Sequence, residues 1–202
     1  MRYRYCAQRQ TVRKRILILC EGGKTEPGYF KAIKADKYLS RQLVGLRIVV
    51  HNTKKNTAKE LVAQAIYLKK EAKHEKNPYD DVWVVVDRDG YTKHPESFDR
   101  ARQTDICIGF SSPCFEYWIL LHYVYTSSPF DNCDAVIVKL QQYIPEYNKA
   151  ENYFDDLKER IEAAITHGNR IKRHWEDIAD GPIWQYNPYT DVGELVNKLI
   201  NL

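Results

Sequence analysis

The sequence predicts an α/β domain built on a mainly parallel, four-stranded sheet flanked by helices, with a helical C-terminal part. Two observations support this prediction: short, wholly apolar runs alternate with segments of helical periodicity, and the C-terminal part contains mostly helical patterns. Apolar runs without polar alternation are typical of strands that are buried on both faces. Strands that alternate with helices indicate right-handed crossovers between parallel strands.

Each predicted element begins and ends at a recognisable signal. The predicted strands cover residues 16–20, 46–50, 82–86 and 106–110. The predicted helices cover residues 26–37, the stretch after Thr57, and residues 95–104, 114–123, 134–143, 152–167 and 191–202. Thr25 and Thr57 are the expected N-caps, because a threonine hydroxyl can accept a hydrogen bond from the first helical turn. Residues 126–132 are the expected long surface loop.

The length and charge of the chain suggest a simple organisation. The 202 residues fit one domain, which we place at residues 15–202 after a basic N-terminal arm at residues 1–14. Residues 124–202 form a mostly helical extension of that domain. The net charge of +4 is mild, so it permits an anionic partner without requiring one.

The apolar runs and the cysteines indicate a cytoplasmic protein. No apolar run is long enough to span a bilayer, and the basic N-terminus lacks the apolar segment of a secretory signal. We therefore expect no membrane partner. The five cysteines form no close pair in the sequence, so we expect neither a disulfide framework nor a zinc site.

Acidic residues follow two of the predicted strands. Glu21 follows the first strand, and Asp87 and Asp89 follow the third. Loops at the carboxyl ends of parallel strands line the ligand crevice of an open sheet, so these side chains should meet there. Mg²⁺ prefers hard oxygen ligands and keeps several waters, so a few carboxylates and a substrate phosphate suffice to hold it. The pattern predicts a divalent-metal site for phosphodiester chemistry.

Each acid also has a simpler interpretation. An acidic residue after a strand often caps the next helix or lies in solvent, and Asp89 before Gly90 suits a turn. The metal hypothesis depends on the coincidence of two apolar strands that both end in a carboxylate beside glycine. A purely binding protein would have no need to keep mutually repelling acids together.

Two other phosphate motifs are partly present. Residues 22–25 resemble the end of a P-loop, but the earlier glycine of that signature is missing, which excludes a P-loop ATPase. Asp87-x-Asp89 after a valine-rich strand also resembles the nucleophile motif of haloacid dehalogenase-like phosphatases, and Ser111 mimics their second motif. No later apolar strand ends in the acidic pair that those enzymes need, so this remains the weaker alternative.

Three ordered motifs and a closing segment together resemble the RloB family. They are CEGGKTEPGYF at residues 20–30, VDRD at residues 86–89 and SPCFEYW at residues 112–118, followed by NPYT at residues 187–190 and a final helix. The resemblance runs from about Arg15 to the C-terminus. RloB-like proteins are regarded as TOPRIM-type, Rossmann-like domains of prokaryotic defence loci, related to the nuclease parts of overcoming-lysogenization-defect and abortive-infection systems.

The resemblance implies a function and a set of residue roles. The implied activity is that of a nuclease that cleaves RNA, tRNA included, or DNA with Mg²⁺ or Mn²⁺, alongside an AAA or ABC-type ATPase partner. Glu21 matches the TOPRIM glutamate that acts as general acid or base and metal ligand, and Asp87 and Asp89 match the metal-holding Asp-x-Asp pair. Glu26 and Glu116 match further family acids that would support a second metal. The chain carries no ATPase of its own, so regulation would come from the partner.

Basic residues near these acids have weaker assignments. Lys24 lies beside the expected crevice and would bind substrate phosphate, although a solvated lysine explains it nearly as well. Lys54, Lys55 and Arg88 would make the rim of the crevice basic. For Glu116 a structural ion pair competes evenly with a metal. The alternative from another class is a non-catalytic regulatory or nucleic-acid-binding subunit with the same fold.

Overall fold

A computed structural model describes residues 14–36, 39, 47–50, 57–88 and 94–201 of the chain. Its strands are β1 (Ile16–Cys20), β2 (Arg47–Val50), β3 (Asp81–Asp87), β4 (Cys107–Ser112) and β5 (Tyr189–Thr190). Its helices are α1 (Thr25–Ala35), α2 (Ala58–His74), α3 (His94–Gln103), α4 (Glu116–Leu120), α5 (Cys133–Leu140), α6 (Phe154–Leu157), α7 (Ile161–Ile178) and α8 (Val192–Ile200). Short 3₁₀ turns cover Lys158–Arg160 and Ile183–Gln185.

The sheet has the strand order β2-β1-β3-β4-β5, and its first four members run parallel. The predicted fold class, an α/β protein with four mainly parallel strands and a helical C-terminal part, is therefore confirmed. The two-residue strand β5 was not predicted. It runs antiparallel to β4, with Ser111 opposite Thr190 and Ser112 opposite Tyr189.

Two apolar layers cover the two faces of the sheet. Ile16, Ile18 and Cys20 of β1 face a core that includes residues of α1 and of α4 to α8. Leu17 and Leu19 face the opposite core, which includes residues of α2. Every side chain of β1 is consequently fully buried, which explains why its sequence shows no polar alternation.

Some helix boundaries differ from the predicted ones. Thr57 caps α2 as expected, in a capping box with Glu60. Thr25, in contrast, is the first residue of α1 and not its N-cap. The predicted helix over residues 152–167 is confirmed in part: the chain is helical there but forms α6, a 3₁₀ turn and α7, which continues to Ile178. The pattern of this segment indicated a helix, but the 3₁₀ turn at Lys158–Arg160 contains no glycine or proline from which it could be predicted.

A disulfide joins Cys114 to Cys133, so the expectation that no cysteines pair was wrong. The two residues are 19 positions apart, and the fold brings their Cα atoms to 5.6 Å. Sequence spacing could not show this, because α4 and the loop that follows it turn the chain back on itself. Among the described residues, no helix combines the length and the apolar composition that a membrane crossing requires.

His122 lies in the core beside α1. Its side chain is buried, its Nδ1 lies 3.0 Å from the carbonyl oxygen of Trp118, and its Nε2 lies 3.1 Å from the hydroxyl of Tyr29. A carbonyl oxygen only accepts, so Nδ1 carries the proton and Nε2 accepts from Tyr29. Burial lowers the pKa of His122 to about 4, so the ring is a neutral structural group at neutral pH.

Candidate metal and phosphodiester site

Glu21 and Asp87 are in direct contact at the carboxyl edge of the sheet. The backbone N–H of Asp87 donates a hydrogen bond to Oε2 of Glu21 at 3.1 Å. Parallel pairing sets this contact, because Cys20 lies opposite Val85 and the N–H of Glu21 donates to the carbonyl of Val85 at 3.0 Å. Both residues are partly exposed, although Oδ1 of Asp87 is buried.

The strand order places Glu21 and Asp87 between β1 and β3, at the point where the order of the strands along the chain reverses. α1, which follows β1, packs on one face of the sheet, whereas α3, which follows β3 along the chain, packs on the other. Such a switch point opens a crevice outside the carboxyl ends of the strands, and ligands of doubly wound proteins bind there. The sequence prediction that Glu21 and Asp87 share this location agrees with the geometry.

Glu26 occupies the first turn of α1 and is buried. Burial raises the pKa of its carboxyl group, and the charge of Glu116 raises it further. Hydrogen bonds from its own backbone and from Gly22, together with the charge of Lys149, act in the opposite direction. Glu26 therefore lies back against the Gly22 turn, with a second acid near it.

The thiol of Cys20 shows that these acids share one region. Burial raises the pKa of Cys20, and the negative charges of Glu26 and Asp87 raise that pKa further. Glu26 lies in the first turn of α1, which follows β1, so it lies at the same edge of the sheet as the Glu21–Asp87 pair. We call Glu21, Glu26, Asp87 and Glu116 the acidic edge.

Glu116 is almost fully buried and has several partners within the protein. Tyr147 and Thr25 donate to its Oε1 at 3.2 and 3.3 Å, and Lys149 Nζ lies 3.4 Å from its Oε2. A buried carboxylate with a cation and two hydroxyl donors is stable without a metal. These contacts favour the structural ion pair over the metal-ligand role, which the sequence alone left even.

At one end of the acidic edge, the carboxylate oxygens of Glu21 and Asp87 are suitable ligands for a hard cation. Two carboxylates at one crevice bring excess negative charge and the oxygen ligands that Mg²⁺ or Mn²⁺ prefers. At the other end, the ligand-type atoms of Cys114, Glu116 and Cys133 lie within 4.8 Å of one another. Both sulfurs belong to the disulfide, so that group does not offer thiolates to a metal in this state.

The structure describes only some of the remaining predicted site residues. Lys24 is exposed at the N-cap position of α1 and makes no capping hydrogen bond with its side chain. Arg88 follows Asp87 directly, and its backbone N–H donates to the carbonyl of Ser111 at 2.9 Å. Asp89, Lys54 and Lys55 lie outside the described residues, so their roles stay predictions.

Sequence reasoning missed residues that hold the acidic edge in place. His94, buried at the start of α3, lies with Nε2 3.1 Å from the carbonyl oxygen of Arg88 and packs against Phe110. It therefore fixes the chain directly after Asp87. Lys149 and Tyr147, the partners of Glu116, were also missed, because both lie in an irregular segment far along the chain.

The substitution G22A is expected to move the Glu26 carboxylate and to change the stability of the fold very little. A Cβ atom at Gly22 would lie 2.2 Å from Glu26 Oε2, whereas one at Gly23 would meet nothing within 4 Å. We expect G22A to displace the Glu26 carboxylate and weaken metal binding, measured as a smaller rise in melting temperature with Mn²⁺. The displaced atoms end a flexible side chain, so the free energy of unfolding should change by less than about 1 kcal/mol. G23A is the matched control, and equal metal responses of the two variants would exclude Glu26 from the metal site.

The fold is that of a doubly wound α/β protein, and the acidic residues Glu21 and Asp87 lie at its switch point. In a comparison with family models, the model described as RloB-like protein matches residues 16–199. The chain therefore belongs to the RloB-like protein family. Searches of curated proteins and of solved structures each gave no significant match.

Proposed function

We propose that this protein is a metal-dependent, TOPRIM-type nuclease that hydrolyses phosphodiester bonds in RNA or DNA. The observation that carries the proposal is the hydrogen-bonded contact between Glu21 and Asp87 at the switch point. Family membership adds the expectation of a role in defence against phage and of control by an AAA or ABC-type ATPase.

In this proposal, the role of each residue in catalysis follows from its position in the site. Asp87 and Glu21, with Asp89, would hold Mg²⁺ or Mn²⁺, which would supply positive charge where negative charge develops on the phosphate. Glu21 moves a proton at its carboxylate to or from the reacting oxygen. The N–H of Asp87 restricts the Glu21 carboxylate to one orientation, which favours transfer along a fixed path. Lys24 and Arg88 attract the polyanionic substrate.

The phosphatase alternative receives less support from the geometry. A serine that holds a transferred phosphoryl group must face the crevice. The hydroxyl of Ser111 is instead fully buried and lies 3.0 Å from the hydroxyl of Thr190 on β5. Its role as the second phosphatase motif is therefore the weaker interpretation.

A cleavage assay on the purified protein tests the proposal. tRNA, single-stranded RNA and plasmid DNA would each be incubated with Mg²⁺, Mn²⁺ or EDTA. We expect metal-dependent cutting of at least one substrate by the wild type and by D99N, an exposed carboxylate on α3 paired with Arg102. D87N should not cut. Cutting that survives EDTA or D87N would contradict the proposal.

The binding-subunit alternative has a distinct outcome. A non-catalytic TOPRIM domain would bind the nucleic acids in a mobility-shift assay and cut none of them, whether or not a candidate AAA or ABC-type ATPase partner is added. Cutting that begins only when the ATPase and ATP are present would support the nuclease and the expected control by a partner.

A further inference from the structure

The disulfide lies at the wall of an open cleft. Cys114 is 1% exposed, whereas Cys133 is only partly buried. Cys133 also lines a cleft of about 660 Å³, together with Arg88 and Phe130. An exchange reagent in this cleft would therefore reach one sulfur of the pair and not the other.

The polar side chains next to the accessible sulfur of Cys133 can interact with that sulfur as a thiol and as a thiolate. Lys149 Nζ lies 3.3 Å from Cys133 Sγ, and Glu116 Oε2 lies 3.2 Å from the same atom. A disulfide sulfur carries no proton, so it donates nothing to the carboxylate. After reduction, the thiol would donate to Glu116 and the thiolate would lie against the Lys149 ammonium.

The other described cysteines lack these features. Cys20 is fully buried, and burial raises its pKa, which makes its thiol unreactive. Cys107 is partly exposed, and burial together with the nearby carboxylates Asp81 and Asp105 raises its pKa, although Lys198 and Lys69 oppose this. Among the cysteines that the structure describes, Cys133 combines access, a bonded partner sulfur and an adjacent ammonium group.

We propose that Cys114 and Cys133 form a thiol–disulfide exchange site that reacts with small thiols and disulfides of the glutathione class. A glutathione thiolate attacks Cys133 Sγ, the bond between the two cysteines breaks, and Cys114 leaves with the electron pair and takes a proton. A second thiolate attacks the glutathione sulfur of the mixed disulfide and releases Cys133. Two thiols are thus oxidised to glutathione disulfide as one protein disulfide is reduced. Oxidation follows the reverse path, with Cys133 as the attacking sulfur.

Lys149 is a positioning residue in this scheme. Its ammonium stabilises the negative sulfur of Cys133 both when that sulfur attacks and when it leaves. Removal of the cation lowers the fraction of thiolate, but the remaining thiolate is more nucleophilic, so the effects partly cancel. We expect K149Q to slow exchange by about threefold. K149R, which keeps the charge, should restore the rate.

The test counts thiols in the full-length protein at defined ratios of reduced to oxidised glutathione. After acid quenching and denaturation, a maleimide polymer labels each free thiol and shifts the band on a gel. We expect the number of labelled thiols to change reversibly by two as the ratio changes. C114S and C133S should abolish the change, and C107S is the matched control that should keep it.

Two further measurements make the result decisive. Mass spectrometry after brief alkylation of the reduced, folded protein should find Cys133 labelled before Cys114. Circular dichroism should show that K149Q and K149R melt as single folded species before their rates are compared. A thiol count that does not change with the ratio overturns the proposal, as does a K149Q rate equal to that of wild type. The assay needs no nucleic acid, so its result is independent of the proposed nuclease activity.

Discussion

The E21Q variant is expected to lose nuclease activity while it keeps its fold. A glutamine oxygen can still accept the hydrogen bond that the Asp87 N–H donates to Glu21 Oε2 at 3.1 Å. The amide cannot exchange a proton at neutral pH, and it brings no charge to a metal. Loss of a positioned general acid or base lowers rates by about 10²–10⁴-fold, and we expect a loss in that range.

Single-turnover cleavage measures this effect without interference from product release. E162Q, an exposed glutamate in the first turn of α7, is the matched control and should cleave at the wild-type rate. Thermal unfolding of E21Q should stay within about 4 °C of wild type, since a surface substitution of this kind costs less than about 1 kcal/mol. An E21Q rate within threefold of wild type would exclude Glu21 from proton transfer.

The second large effect is a loss of stability in acid that depends on His122. Burial lowers the pKa of His122 to about 4 from the ordinary 6.5, and the charges of Arg160 and His167 add to this, although the carbonyl of Trp118 opposes it. The unfolded chain therefore binds a proton more readily than the folded chain between these values. The stabilisation is fully present above pH 6.5 and is lost as the pH falls towards 4. The shift corresponds to about 3 kcal/mol.

Urea unfolding across this pH range measures the effect as a difference between variants. H122N removes the ionisable ring, and its amide can still donate to the Trp118 carbonyl. The gap in unfolding free energy between wild type and H122N should change by about 3 kcal/mol from pH 7 to pH 4, to the disadvantage of wild type. H74N, at an exposed histidine near the end of α2, serves as control. Parallel curves for wild type and H122N would show that His122 is not the group responsible.

The sheet could be predicted from the sequence because its strands are buried on both faces. The run at Ile16–Cys20 has no polar interruption, and the structure confirms it residue for residue. The meeting of Glu21, which follows β1, with Asp87, which ends β3, was predictable for the same reason, since parallel register fixes which strand ends meet. The strand β5 was not predictable, because two residues carry no periodicity and pair with β4 from a long distance along the chain.

The partners of Glu116 could not be predicted from the sequence. An acid among aromatic residues required a partner, but nothing in the sequence indicated Lys149 or Tyr147. Both come from the segment between α5 and α6, which has no regular pattern. The disulfide from Cys114 to Cys133 was missed for the same physical reason. Contacts of this kind depend on the path of loops, which local composition does not determine.

The late position of β5 in the chain has a consequence for synthesis. The free edge of β4 is covered only when Tyr189 and Thr190 pair with Ser112 and Ser111, almost 80 residues after that edge emerges from the ribosome. Until then a nascent chain presents unpaired backbone groups, which other chains can join. Premature termination or a truncated gene would leave this edge uncovered permanently. The strand β5 thus acts as a length check, because the chain can pair this edge of β4 only after synthesis has passed Thr190.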